Sequence, residues 1–296
     1  MSLMKSTRSF IYLAALATFA AHAFAAEGPK AIDVKVTGKG TPVILIPGLA
    51  TPGAVWDDTV KHLQPNHSCH VVTIAGFGGL PAVASEHLLD DVRDQLIAYI
   101  RQQRLDKPTL IGHSLGGTVA LAIGARAPEL PGKIITVDSL PFLAAIMMPG
   151  VNTADEAKQR AGGMRNMMQD QTPEQFAKLQ LERTIPAMVT APENVKRIAE
   201  MCGKSDPRIV GQAMSELLGT DLRPELAKIT CPVLVLGSLA DKIQFAPRPA
   251  IEGNYKTQYA NAKQVQFEFF ENAKHFIMID DPAGFYATLE RELAAR

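Results

Sequence analysis

The chain has 296 residues, of which 47% are hydrophobic and 20% charged, with 30 Lys and Arg against 30 Asp and Glu. That balance belongs to a soluble globular protein with enough apolar side chain for a sizeable core, and it argues against disorder. Nucleic-acid binding needs clustered positive charge that displaces counterions, and the sequence contains no such run.

The first 25 residues read as a secretory leader. Lys5 and Arg8 make a positive start, Phe10 to Ala21 is an almost unbroken apolar run, and Ala23-Phe24-Ala25 offers small residues at the two positions that signal peptidase reads. The run is shorter than the about 20 apolar residues that span a bilayer. No cysteine follows the cleavage site, so a lipid anchor is not indicated, and no later segment is apolar enough for a membrane helix. The expectation is a mature protein beyond the inner membrane, periplasmic or secreted, with 28 basic and 30 acidic residues once Lys5 and Arg8 are removed.

From residue 42 onward, short apolar runs alternate with helical patterns. Pro42 to Ile46, His70 to Ala75, Thr109 to Ile111, Lys133 to Val137, Pro232 to Leu236 and Val265 to Phe270 are mostly β-branched and bounded by Gly, Pro or polar residues. These are marks of buried strands. Between them, Ser85 to Arg104 carries Leu88, Val92, Leu96 and Ile100 at four-residue spacing, the stripe of an amphipathic helix with Ser85 as its N-cap. Gly116 to Arg126 is small and apolar, as a helix buried under a sheet should be, and Pro282 to Arg296 opens with proline in its first turn. Strands alternating with helices imply right-handed crossovers. The predicted fold class is α/β, a mostly parallel sheet flanked by helices on both faces.

One stretch breaks the rhythm. Pro141 to Arg223 has no strand pattern, only helical segments punctuated by Pro149, Pro173, Pro186, Pro192 and Pro207, and it holds most of the chain's 11 methionines. It reads as a helical cap, residues 141–223, inserted into a core made of 26–140 and 224–296. The three cysteines are expected to be free. Cys69 and Cys231 precede strands several places apart, strands are spaced about 4.8 Å, and a disulfide needs Cα atoms within about 7 Å. Cys202 falls in the cap.

Gly112-His113-Ser114-Leu115-Gly116 follows a predicted strand and opens a predicted helix. In that setting G-x-S-x-G describes a sharp turn that lifts a serine hydroxyl above the sheet, while the glycines let neighbouring backbone crowd in. The helix N-terminus behind it favours negative charge. From about residue 32 to the C-terminus the sequence resembles the α/β-hydrolase superfamily, and its Gly-His-Ser-Leu-Gly-Gly elbow resembles that of the esterase, enol-lactonase and C–C hydrolase arms. Pro47-Gly48-Leu49, with Trp56 eight residues after Gly48, resembles the family's oxyanion loop, although Pro47 stands where histidine is usual. Gly76 to Pro81 resembles its Gly-rich turn without the usual leading aspartate.

The resemblance implies Ser114 as nucleophile, an oxyanion hole made by the backbone N–H groups of Leu49 and Leu115, and His275, just past the last predicted strand, as base. For the acid it offers Asp241, after the strand ending at Leu236 but one residue later than the usual spacing, and a rival, Asp138, at the end of the preceding strand. His113, His62, His67, His70 and His87 are expected to be structural or solvated, and no histidine pair has metal-ligand spacing. The implied chemistry is acyl transfer through an acyl-enzyme, without cofactor or metal. The cap methionines either line an apolar pocket, which suits a small to medium apolar ester, or pack the cap's own small core. Lactone opening, C–C hydrolysis, cofactor-free perhydrolysis and a catalytically inactive binding protein of the same fold stay open as alternatives. The sequence says nothing of oligomeric state.

Overall fold

The computed structural model describes residues 30–294; the expected leader lies outside them. Seven strands form one sheet: β1 (Ile32–Thr37), β2 (Thr41–Ile46), β3 (His67–Ile74), β4 (Thr109–His113), β5 (Lys133–Val137), β6 (Val233–Ser238) and β7 (Val265–Phe270). Their order is β1-β3-β2-β4-β5-β6-β7, and every pairing is parallel except β1 with β3. The six predicted strands are all present. The antiparallel edge strand β1 was not among them; its IDVKVT alternates apolar and polar residues, as a half-exposed edge strand should. Leu110, Ile111, Ile134, Ile135, Val235 and Leu236 on the central strands are wholly or almost wholly buried, because helices cover both faces of the sheet.

Helices α1 (Asp57–Leu63), α2 (Leu88–Gln102) and α3 (Leu115–Arg126) follow β2, β3 and β4. After β5 come α4 (Ala144–Met147), α5 (Ala154–Gln169), α6 (Pro173–Leu179), a π-helical turn (Gln180–Thr184), α7 (Ile185–Met188), α8 (Pro192–Cys202) and α9 (Pro207–Leu218). The stretch predicted to lack strands is therefore helical throughout. It is punctuated where the prolines stand: Pro173, Pro186, Pro192 and Pro207 all fall in the first turn of a helix. The core resumes with β6, α10 (Arg248–Gln258), β7, α11 (Ile277–Asp280) and α12 (Pro282–Ala294).

Ser85 is not the N-cap of α2. His87 holds that position without a side-chain cap, and the Ser85 hydroxyl donates to Asp91 instead. The orphan amides at the start of α2 are met from far away in sequence: Glu216 of α9 accepts from Leu88 N–H at 3.0 Å and from Leu89 N–H at 2.8 Å. The helical insertion is thereby tied to the core. Cys69 (within β3), Cys202 and Cys231 are free and buried, and burial pushes their thiols up to about 11, 12 and 11. They are inert neutral thiols at neutral pH.

Trp56, the landmark after the expected oxyanion loop, is fully buried and stacks on Phe285 of α12 with ring centroids 6.4 Å apart. This contact closes the C-terminal helix onto the start of the sheet. Phe285→Ala should leave a cavity there and lower unfolding stability by about 3–5 kcal/mol, read as a lower urea midpoint at unchanged slope. A loss below about 1 kcal/mol would show that the site collapses around the gap.

Candidate active site

The strand register brings the carboxyl ends of β2, β4, β5 and β6 side by side, pairing Ile46 with Gly112, His113 with Val137 and Val137 with Leu236. In open α/β sheets the crevice beyond these ends is where ligands bind. Here it opens into a cavity of about 370 Å³ whose wall includes Leu49, Ser114, Asp138, Asp241, Lys242 and His275.

Ser114 sits between β4 and α3 with φ 51° and ψ −118°, a conformation that L side chains rarely adopt. Surrounding backbone makes room for it only where Cβ atoms are missing. A Cβ on Gly112 would meet the Gly116 carbonyl oxygen at 2.2 Å, and one on Gly116 would meet the Ile46 oxygen at 2.3 Å. A Cβ on Gly48 would fall 2.7 Å from His113 Nδ1 and 3.3 Å from Ser114 Cβ. The loop after β2 therefore packs directly on the elbow. Among the described residues, the backbone N–H groups of Leu49 and Leu115 meet no protein acceptor. Leu49 lies on the cavity wall and Leu115 opens α3 directly after Ser114. The loop's outer side is held by Ser205, whose hydroxyl donates to the Ala50 carbonyl at 2.8 Å and accepts from Gly78 N–H at 2.8 Å. That links the Gly-rich turn, the loop and the helical insertion.

His275 lies on the cavity wall with Ser114. Its Nδ1–H donates to Asp138 Oδ2 at 2.6 Å. Asp138 also accepts from Ser238 N–H (2.9 Å), from the Tyr255 hydroxyl, and from Lys242 Nζ at 3.0 and 3.2 Å. Burial by itself would raise its carboxyl, but the Lys242 charge, the His275 contact and the Tyr255 hydrogen bond outweigh it and hold Asp138 well below the usual carboxylate range. Asp138 is an ionised acceptor at neutral pH. Its φ of +47°, tolerated by aspartate, turns the chain sharply at the end of β5.

Asp241, the first-choice partner for His275, is not on the imidazole. Its carboxylate accepts from the Ser238 hydroxyl at 2.8 Å and from Lys242 at 3.2 and 3.3 Å. The loop that carries it is pinned to the end of β7 by Leu239 N–H on the Phe270 oxygen and Ala240 N–H on the Ala273 oxygen. The extra residue before Asp241 is taken up by this turn and directs the side chain to Lys242. Of the two candidate aspartates, the rival Asp138 is the one joined to His275.

His113 points inward, as expected, but it has a task. Burial above all, and the neighbouring His275, keep it well below its ordinary pKa and hence neutral. Its Nε2–H donates to the His275 carbonyl at 3.1 Å, and its ring lies 4.6 Å from the His275 ring. Lys242, Tyr255, Ser205 and the bracing role of His113 were missed in the sequence, since no local pattern marks them. Of the other histidines, His62 stacks on Tyr286 and pairs with Glu290, and His70 is bound between Ser68 and Tyr99. Among the described residues, no group of three or more His, Cys, Asp or Glu side chains is arranged to hold a metal ion.

This geometry accords with the comparisons. Residues 43–288 match the family model described as "Alpha/beta hydrolase family". The chain belongs to the alpha/beta hydrolase family. Among curated relatives, the pimeloyl-[acyl-carrier protein] methyl ester esterase of Vibrio parahaemolyticus is 30% identical over 67% of this chain and 75% of its own length. That of Aeromonas hydrophila is 27% identical over 88% and 98%. Solved structures that share the fold include a thermophilic esterase from Thermogutta terrifontis (TM-score 0.72, 22% identity, 89% of this chain and 93% of that one). An enol-lactonase from Burkholderia xenovorans LB400 is similar too (TM-score 0.70, 17% identity, 89% and 96%). This alpha/beta hydrolase is an enzyme of the hydrolase class.

The contact of Gly48 with both His113 and Ser114 makes it a sensitive position. Gly48→Ala should retain wild-type circular dichroism but lose about 10²-fold in turnover of an ester, because a displacement of about 1 Å at the reacting centre has that effect. Wild-type turnover would show that the loop has room to retreat.

Proposed function

We propose that this hydrolase cleaves a small to medium apolar carboxylic ester through an acyl-enzyme on Ser114, with His275 as base and Asp138 as the acid that orients it. The observation that carries the reading is the 2.6 Å bond from His275 Nδ1 to the buried, ionised Asp138 on the wall of the cavity that also holds Ser114. With Nδ1–H committed to Asp138, Nε2 of His275 is the ring nitrogen left to take the Ser114 proton as the hydroxyl attacks the ester carbonyl. The amides of Leu49 and Leu115 then receive the developing oxyanion, each donor contributing about 3 kcal/mol to the transition state. Alcohol leaves with the proton from His275, and water activated by the same ring releases the acid.

The substrate's apolar character is supported by the cavity wall. Leu140, Leu143, Leu179, Ile185, Val210 and Leu217 line it, joined by Met147, Met168, Met188 and Met214. Only part of the methionine-rich stretch serves this purpose: Met148 is buried away from the cavity and Met167 is exposed. A π-helical turn supplies Gln180 and Thr184 to the wall, and such turns often sit at functional sites. In this reading the helical insertion, 141–223, acts as a cap over the ester. The curated relatives named as methyl ester esterases support ester cleavage in particular.

Ser114→Ala should abolish both ester turnover and labelling by a fluorophosphonate. Asp138→Asn should lower kcat about 10⁴-fold, and Asp241→Asn far less. Folded wild-type protein that is never labelled would refute the acyl-enzyme on Ser114, and equal losses at the two aspartates would overturn the choice of acid.

We propose also that the enzyme works beyond the inner membrane, supported by the leader pattern around Lys5, Arg8 and Ala23-Phe24-Ala25. The full chain expressed in a Gram-negative host should yield a periplasmic product that begins at Ala26, read by intact mass. An unprocessed cytoplasmic product would refute this.

A further inference from the structure

Among the described residues, Lys242 is the only Lys or Arg on the cavity wall, and no step of the acyl-transfer reading uses it. Its ammonium binds Asp138 Oδ2, the same oxygen that accepts His275 Nδ1–H. Two nitrogens 3.0 and 2.6 Å from one oxygen stand within about 6 Å of each other. Lys242 is in turn shared: Asp241 lies 3.2 Å away, and the Ser238 hydroxyl is a third partner. The second carboxylate, at the place where the acid was first sought, thus faces the cation instead of the imidazole.

We propose that Lys242 is a positioning residue that sets how strongly Asp138 holds a proton on His275, with Asp241 as the counterweight that moderates it. This rests on the reading of His275 as base. In a simple Asp–His pair the carboxylate gives its full charge to the imidazolium. Here part of that charge is already spent on an ammonium, and the ammonium also repels the imidazolium across about 6 Å of partly buried space. Both effects weaken the hold on an imidazolium relative to an Asp–His pair without the ammonium. Asp241 acts in the opposite sense by neutralising part of the Lys242 charge.

The other groups facing the imidazole do not supply a competing charge. His113 beneath it is buried and neutral, and Tyr255 of α10 is a protonated phenol that donates to Asp138, its pKa raised by burial and by that carboxylate. Lys274, the next residue in sequence, turns its ammonium away to the carbonyls of Pro186 and Val189, and Asp280 is engaged by Thr190 and the Lys274 amide.

The test is the pH dependence of kcat/KM for p-nitrophenyl acetate between about pH 5 and pH 9, whose acid limb reports the free enzyme's base. Lys242→Met should move that limb up by about one pH unit, and Lys242→Arg should restore it. Asp241→Asn should move it down. A merely structural role would lower kcat in these variants without opposite displacements of the limb. A limb that stays put in Lys242→Met, or that moves the same way in Lys242→Met and Asp241→Asn, would overturn the proposal. Should the wild-type enzyme leave the ester untouched, the reading of the reaction fails separately. The coupling is then still read from the NMR titration midpoint of the His275 ring, expected to be higher in Lys242→Met than in wild type, and an equal midpoint would overturn it.

Discussion

The site depends on the crowding of backbone around Ser114. A serine at φ 51° is strained, and the strain persists because the chain on three sides leaves it nowhere to relax. Gly112, the last residue but one of β4, lies against the Gly116 carbonyl, Gly116, the second residue of α3, lies against the Ile46 carbonyl, and Gly48 closes over His113 and Ser114. A Cβ at Gly112, Gly116 or Gly48 would come within 2.2, 2.3 and 2.7 Å of a neighbouring atom, closer than side chains tolerate. The same packing puts Leu49 on the cavity wall with Ser114 and Leu115 directly after it, and among the described residues neither amide meets a protein acceptor. The elbow and the loop after β2 are therefore one mechanical unit, and Ser205, reaching from the helical insertion to the Ala50 carbonyl, fixes that unit from outside.

A second constraint is electrostatic. Burying Asp138 is costly for a carboxylate. The structure offsets that cost with donors from four parts of the chain: His275 after β7, Ser238 at the end of β6, Tyr255 on α10 and Lys242 beyond β6. Such a carboxylate has little freedom to rotate, which fixes the direction of the His275 ring. His113 fixes its backbone by donating to the His275 carbonyl, and it can do so as a neutral ring because burial denies it a proton. Asp138 Oδ2 is thus shared between the Lys242 ammonium and the His275 ring.

The third element is the cavity wall. The core contributes Ser114, Asp138 and His275 to this wall, and the insertion contributes aliphatic and thioether side chains. Ile146 and Met147 lie on this wall yet remain about half exposed, at 45% and 49%, so the apolar lining continues to the surface. Methionine and leucine offer volume without directional demands, which suits an ester whose only strongly polar atoms are those at the reacting carbonyl.

The sequence by itself determined the parallel sheet, because strands buried on both faces must be written as unbroken β-branched runs, visible at Lys133–Val137 and Pro232–Leu236. It determined the elbow as well, since a glycine-flanked serine between strand and helix answers to a steric demand that acts over five residues. His275 was singled out by its place after the last strand together with the family resemblance, and the structure sets it on the cavity wall with Ser114. The edge strand β1 was not read because it is half exposed and lacks the continuous apolar run of the buried strands, and the capping of α2 was misassigned to Ser85 because its real partner, Glu216, comes from α9. The pairing of His275 with Asp138 rather than Asp241 was decided only in three dimensions. Both aspartates end or follow neighbouring strands, and the choice turns on hydrogen bonds from the Leu239 and Ala240 amides to the Phe270 and Ala273 carbonyls, which pin the loop before Asp241 and aim it at Lys242. Spacing along a chain fixes where a carboxylate can reach, but which partner it binds depends on charges that arrive from distant segments.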